Sequence, residues 1–156
     1  MPQINYDEFA ESFSLQLANH LVRVSRIKDI DKLFDRLLSK PAADVNVLDE
    51  RTPYWADLWP SAIGLSKYID ENPSLVHGKI VIEIGCGLGL PGIVAALNGA
   101  EVTMTDYLQE ALDFSQNNWN KNLSVEFNGQ LLDWRDVSKI EKADVILASD
   151  VAYESR

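Results

Sequence analysis

The sequence predicts an α/β fold, a parallel sheet with helices on both faces. Three observations predict it. Lys79-Ile80-Val81-Ile82-Glu83-Ile84 is a short, β-branched apolar run, the pattern of a strand buried on both sides. Glycines follow at alternate positions, Gly85, Gly87 and Gly89, and Pro91 then sits in the first turn of a helix, where its missing N–H is no loss. Further short apolar runs alternate with helix-period stretches downstream, as in a sheet built from strand–helix–strand units.

A chain of 156 residues is long enough for one domain with a real core. It divides into an N-terminal extension, 1–50, and a core region, 51–156. The net charge of −10 argues against an extended phosphate-binding surface, hence against nucleic acid, and is compatible with a basic protein or peptide as partner. No stretch is long and apolar enough to span a membrane, and the first residues carry no signal-peptide apolar region. The single cysteine, Cys86, forms no internal disulfide, so a reducing cytoplasm is the expected location. Two histidines and one cysteine without ligand spacing predict no metal site.

In the N-terminal third, Phe13, Leu15 and Leu17 alternate with polar residues, as do Val22 and Val24. With Asn19-His20 as a turn they predict a β-hairpin. Tyr6, Phe9, Phe13 and Leu17 also fit a helical stripe, so a helix is the alternative. His20 is isolated and reads as a turn or surface residue. Asp29 or Asp31 caps a short helix with Ile30, Leu33, Phe34, Leu37 and Leu38 as its apolar face, and Pro41 stops it. Residues 42–50 read as a polar loop.

Arg51 to Pro60 concentrates Tyr54, Trp55 and Trp59. Aromatic rings so placed plug the end of a sheet or line a ligand pocket. Ser61 is the expected N-cap of a helix from Ala62 to Asn72, with Ala62, Leu65, Tyr68 and Ile69 inward and the sheet beneath it.

After the glycine loop, a helix from Pro91 to Leu97 ends at Asn98-Gly99, a C-cap signal. The strand Glu101 to Thr105 ends at Asp106. An acid at a strand tip suits a ribose, because one carboxylate accepts hydrogen bonds from both hydroxyls. Leu108, Leu112, Ser115 and Trp119 form the inner stripe of the next helix. Val125 and Phe127 alternate as a third strand. Asp133 and Trp134 follow beside the expected cleft, where an adenine would stack on the indole and donate its amino group to the carboxylate. Ala143 to Ala148 is a fourth strand, and Ser149 and Asp150 leave its carboxyl end, where ligands of open α/β sheets bind.

The glycine loop admits two cofactor classes. Gly87-Leu88-Gly89-Leu90-Pro91-Gly92 fits GxGxxG, the dinucleotide pattern. The fuller pattern, Glu83-x-Gly85-x-Gly87-x-Gly89, resembles motif I of the class I S-adenosylmethionine (SAM) methyltransferases. Cys86 lies inside this loop and reads as a small loop residue, not a nucleophile. With PYWADLWPSA, EIGCGLG, the TD at 105–106, LDW at 132–134 and ASDVAY at 148–153, the chain resembles methyltransferase family 16, seven-β-strand enzymes with a Rossmann-like sheet that include many protein-lysine methyltransferases. The resemblance runs from about Pro53 to Tyr153. It implies SAM as cofactor and S-adenosylhomocysteine as product. Trp59, Glu83, Gly85, Cys86, Gly87, Gly89, Asp106, Asp133, Trp134 and Ser149 would then form the cofactor site, with Asp150 and Tyr153 facing the acceptor.

Methyl transfer to lysine needs a neutral amine. Desolvation among Trp55, Trp59 and Tyr153 is expected to lower its pKa, and Asp150 to orient the amine. Only four of the family's strands can be counted, in the expected order 3-2-1-4 with the C-terminal strands missing. The sequence is therefore expected to be part of a longer protein, with the fourth strand's edge covered by self-association or otherwise. Three readings stay open: a SAM-dependent protein methyltransferase acting on lysine, a small-molecule N-methyltransferase, and a non-catalytic module that keeps the fold.

Overall fold

The computed structural model describes residues 10–38, 53–136, 138, 140 and 142–151. Of the two N-terminal alternatives, the hairpin is present. Strands β1 (Ala10–Gln16) and β2 (Leu21–Ile27) pair antiparallel, with Phe13 opposite Val24 and Leu15 opposite Val22. The alternation decides the outcome: Val22 and Val24 are buried while Leu21 and Arg23 face out. Tyr6 and Phe9, the first half of the helical stripe, lie outside the described residues, as do Pro41 and the loop 42–50. Helix α1 (Ile30–Leu38) follows, and of the two cap candidates Asp29 serves, its Oδ1 accepting the Lys32 N–H at 3.3 Å.

A short 3₁₀ turn, Tyr54–Ala56, leads into helix α2 (Pro60–Glu71). The N-cap is Trp59, not Ser61 as expected. Pro60 carries the helical φ at the first position, so the helix starts two residues early. The Ser61 hydroxyl donates instead to Asp150. The expected inner face also needs correction, since Tyr68 is exposed and Ser66, Ile69 and Asp70 are buried. The helix lies against the next helix in the chain, which turns its contact stripe away from Tyr68.

The main sheet comprises β3 (Ile80–Ile84), β4 (Glu101–Asp106), β5 (Gly129–Leu131) and β6 (Val145–Ala148), all parallel, in the order β5-β4-β3-β6. This is the expected 3-2-1-4 order, with helices α3 (Leu90–Leu97) and α4 (Gln109–Asn120) joining the first three strands of that path. Asn98 caps α3 and Gly99 takes a φ of +87°, as its sequence signal required. All four expected inner residues of α4 (Leu108 at its cap, Leu112, Ser115 and Trp119) are buried.

The third strand is displaced from its expected place. Val125 and Phe127 lie outside it, and Val125 is 62% exposed. The Trp119 indole explains this: its Nε1–H donates to the Val125 carbonyl at 2.8 Å and its ring meets Phe127 edge-on at 5.8 Å. Those contacts hold 125–127 against α4, and pairing with β4 begins only at Gly129.

One apolar core joins the hairpin to the sheet, with Val22 and Val24 packed in the same cluster as Val81, Ile93, Val94, Met104 and Trp119. Each such side chain contributes roughly 1.5–3 kcal/mol of burial. The register brings Ile84, Thr105 and Ala148 level, and Asp106 level with Leu131, so the carboxyl ends of all four strands open on one edge. Strand β6 has no second strand partner among the described residues, and its Ile146 and Ala148 are exposed.

Candidate functional site

A cleft of about 360 Å³ lies along that edge, a volume within the range of small-molecule sites. Its floor is the loop from Gly85 to Gly89. The Cys86 N–H donates to the Thr105 carbonyl at 2.8 Å and the Gly89 N–H to the Cys86 carbonyl at 2.7 Å, which folds the loop back over the tips of β3 and β4. Gly85, Gly87 and Gly89 all have positive φ. At Gly89 the requirement is doubled: φ is +79°, and an added Cβ would come 2.2 Å from the Ser115 Oγ.

One wall is the aromatic segment before α2. Tyr54, Trp55, Asp57, Leu58, Trp59 and Ala62 line it. The Trp59 Nε1–H donates to the Tyr54 carbonyl at 2.8 Å and the two rings meet edge-on at 6.1 Å, while Trp55 leans on Phe114 of α4 at 5.8 Å. The opposite wall comes from the tips of β4, β5 and β6: Asp106, Tyr107, Leu132, Trp134, Ser149, Asp150 and Val151.

Asp106 is buried, and its carboxylate is held from two sides. Oδ2 accepts the Gly87 N–H and Oδ1 the Leu108 N–H, each at 3.0 Å. The Tyr107 N–H also bears on the carboxylate, and since a carboxylate has about four acceptor sites the group can still receive a hydroxyl of a diol. Burial raises its pKa above the usual value, and the N–H groups of Leu108 and Gly87 oppose that shift. Burial, with the charges of Asp106 and Glu83, likewise pushes the Cys86 thiol well above its ordinary range, so it is no thiolate nucleophile.

Of the expected site residues, Trp59, Gly85, Cys86, Gly87, Gly89, Asp106, Trp134, Ser149 and Asp150 line the cleft together. Tyr153 lies outside the described residues. Glu83 and Asp133 do not line it. The Glu83 carboxyl points under α3, where Oε2 accepts the Gly92 N–H at 2.9 Å. Asp133 is engaged by Arg135, whose Nε approaches Oδ1 at 2.8 Å. Asp57, Leu58, Tyr107, Leu132 and Val151 were not singled out from sequence. Tyr107 and Val151 are the residues just past Asp106 and Asp150, so adjacency to a strand-tip acid was the available signal.

Asp150 is the one described non-glycine residue with positive φ, at +52°. Strain at a strand tip inside a cleft is typical of functional positions. Three carboxylates, Asp57, Asp106 and Asp150, line the cleft, and among the described residues no Lys, Arg or His does. At the start of α3, Pro91 has no N–H and the Gly92 N–H is already taken by Glu83. A diphosphate would find no cation on the lining and, of these helix-end donors, at most the Leu90 N–H. A cationic ligand with a ribose finds glycine backbone, a diol receptor and acidic walls. The residues present therefore fit SAM better than a dinucleotide.

Comparison with known proteins agrees with this geometry. Residues 48–156 match the model of the family described as lysine methyltransferase, methyltransferase family 16. The chain is 36% identical over 126 residues to histone-arginine methyltransferase METTL23 of Rattus norvegicus, covering 73% of this chain and 56% of that protein. It is 39% identical over 105 residues to the histidine protein methyltransferase 1 homolog of Dictyostelium discoideum, covering 62% of this chain and 33% of that one. The chain thus spans about half or less of the length of these relatives. Among solved structures, a 16S rRNA methyltransferase of T. Thermophilus in complex with AdoMet and guanosine superposes with a TM-score of 0.60 at 15% identity, over 90% of this chain and 32% of that one, which shows a shared fold. On the match across 48–156, which contains the whole cleft, the chain belongs to the lysine methyltransferase family.

Proposed function

We propose that this chain carries the cofactor site and part of the acceptor site of a SAM-dependent N-methyltransferase acting on a protein side chain, lysine first. The observation that carries the reading is the pairing of a glycine loop with the diol-receptive Asp106 in a cleft lined by carboxylates and by no cation among the described residues.

Bound there, SAM supplies a methyl group on a sulfonium sulfur. The chain's own residues do the rest. The Gly85–Gly89 backbone and Asp106 fix the position of the ligand, and Leu132 and Trp134 offer faces for a base. Trp55, Trp59 and Leu58 keep water from the reacting region. Asp150, anchored by the Ser61 hydroxyl, accepts a hydrogen bond from the incoming nitrogen and aims its lone pair. No covalent nucleophile is required of the protein.

The acceptor is inferred from the family description and from the relatives. Those relatives are named for arginine and histidine, so a nitrogen nucleophile on a protein is their common factor. The exposed aromatic rim, Tyr54, Trp59 and Trp134, favours a protein surface over a closed small-molecule pocket. A cytoplasmic location, and self-association through the outer edge of β6, belong to the same proposal. A shift to lower mass in Ile146→Lys by sedimentation supports the latter, and an unchanged monomer in the parent removes it.

Isothermal calorimetry with S-adenosylhomocysteine on the parent and on Asp106→Ala tests the cofactor reading. Binding in the parent and loss in the variant is expected. A parent that prefers NAD, or that binds neither ligand, overturns it.

A further inference from the structure

The hairpin β1–β2 sits far in sequence from the glycine loop, yet one side chain connects them. Asn118, on α4, is fully buried. Its Oδ1 accepts the Ser25 N–H at 2.8 Å, and its Nδ2 donates to the Ser25 carbonyl and to the Leu88 carbonyl, both at 3.0 Å. Both N–H bonds of the amide are used, one on the hairpin and one on the loop. Leu88 lies between Gly87 and Gly89 and lines the cleft.

One turn further, Asn122 repeats half of the arrangement. Its Oδ1 accepts the Arg23 N–H at 2.8 Å and its Nδ2 donates to the Arg23 carbonyl at 2.7 Å. The two asparagines, one on the last turn of α4 and one in the turn that follows it, imitate the edge of a neighbouring strand for the free side of β2. Asn122 differs in one respect: its remaining bond goes to the Asn118 carbonyl, not to the loop. A second contact runs parallel to the Asn118 bridge. Ile27, the last residue of β2, packs in one buried cluster with Leu88, Ala56 and Phe114.

We propose that Asn118 is a positioning residue that couples hairpin docking to the geometry of the cofactor loop. Two of the bonds on Asn118 bind β2, and the third fixes the Leu88 carbonyl of the loop. A hairpin that lifts from α4 releases the amide, and the Leu88 carbonyl then loses its buried partner. Conversely, a ligand that orders the loop favours the bonded arrangement and holds the hairpin down. The two effects are reciprocal by thermodynamic linkage. The hairpin is thus part of the affinity of the cleft without touching the ligand. The inference rests on the reading of the cleft as a SAM site, because S-adenosylhomocysteine is the probe.

The experiment combines calorimetry and amide hydrogen exchange, with and without S-adenosylhomocysteine, on the parent, Asn118→Ala and Asn122→Ala. In the parent the ligand should slow exchange at Ser25. Asn118→Ala should weaken the ligand by about fivefold or more and abolish that slowing. Asn122→Ala should lower Tm but leave the hairpin docked through Asn118, and so hold the affinity within about twofold, because Leu88 keeps its partner. A parent that binds the ligand with no response at Ser25 overturns the coupling, as does an equal affinity loss in the two variants. If Asn118→Ala fails to fold, the parent's exchange response decides alone. A parent that does not bind the ligand overturns the cofactor reading itself, which is a different result from binding without hairpin response.

Discussion

The Glu83 carboxyl accepts the Gly92 amide N–H at 2.9 Å across the width of the glycine loop, while its other oxygen, Oε1, is buried with no hydrogen-bond partner. A carboxylate in that position closes the first turn of α3 from beneath. Burial, with the nearby Asp106 charge adding to it and the Gly92 N–H opposing it, pushes its pKa from 4.5 up to about 8. The folded state therefore prefers the protonated acid. The resulting stability is fully present below pH 4.5 and is lost as pH rises through about 8. Glu83→Gln, which cannot titrate, should flatten this slope and gain on the parent steadily between those two values. Urea denaturation across the window measures it, and parallel curves for parent and variant would contradict the assignment.

Gly92 itself is constrained by space and not by φ. A Cβ there would come 2.3 Å from the Met104 Sδ and 2.5 Å from the Glu83 Oε2. Gly92→Ala should cost about 1–3 kcal/mol through forced displacement of both. Gly64, inside α2, meets nothing within 4 Å of its virtual Cβ. Gly64→Ala should stabilise by about 0.5–1 kcal/mol, as helix propensity dictates. Thermal denaturation of the pair separates crowding from propensity, and two changes of the same sign would show that one of the sites relaxes.

The contrast between these glycines shows what sequence can carry. The loop, its flanking strand and the acid at the tip of β4 were legible because each is a local pattern: β-branched run, alternate glycines, strand-end acid. The strand order was legible only through the family resemblance, whose sheet it follows. What stayed hidden depends on partners distant in the chain. Asn118 and Asn122 look like solvent-side residues of an amphipathic helix, and their function appears only when β2 lies beside them. Val125 and Phe127 alternate like a strand, but the Trp119 indole takes them. Glu83 fits a cofactor motif, yet its side chain faces inward because alternate residues of β3 face opposite sides of the sheet.

His20 and Asp70 belong to the same class of hidden pair. Asp70 is buried at the end of α2, and its carboxylate accepts the Asn19 N–H and meets His20 Nδ1, each at 2.6 Å, with Asn98 at 3.3 Å. Burial alone would raise its pKa, but His20, Asn19 and Asn98 outweigh it and hold the group below 3.8. Its sign is opposite to that of Glu83: the stability is present above 3.8 and is lost as pH falls through the lower folded value. Asp70→Asn should cost about 1–3 kcal/mol at neutral pH, with the gap from the parent narrowing in acid. The hairpin turn should show the earliest loss of amide protection. A gap that is constant with pH would mean that packing, not charge, holds the turn.

Asp150 provides a test in which stability and function move apart. Its φ of +52° is a conformation that costs an ordinary L-residue about 1 kcal/mol and glycine little. Asp150→Gly removes that cost together with the Ser61 bond, which is exposed and therefore weak. The variant should be at least as stable as the parent. Asp150→Asn keeps a side chain that tolerates the same backbone and removes only the charge. Both variants should retain S-adenosylhomocysteine binding, because Asp106 and the glycine loop are untouched. Both should lose methyl transfer to a lysine peptide by about 10²-fold, since neither offers a carboxylate to the incoming nitrogen. Full transfer by Asp150→Asn would remove the charge from the mechanism. A marked fall in Tm for Asp150→Gly would show that the Ser61–Asp150 contact holds β6 to α2, which would make the strain a structural cost and not a functional one.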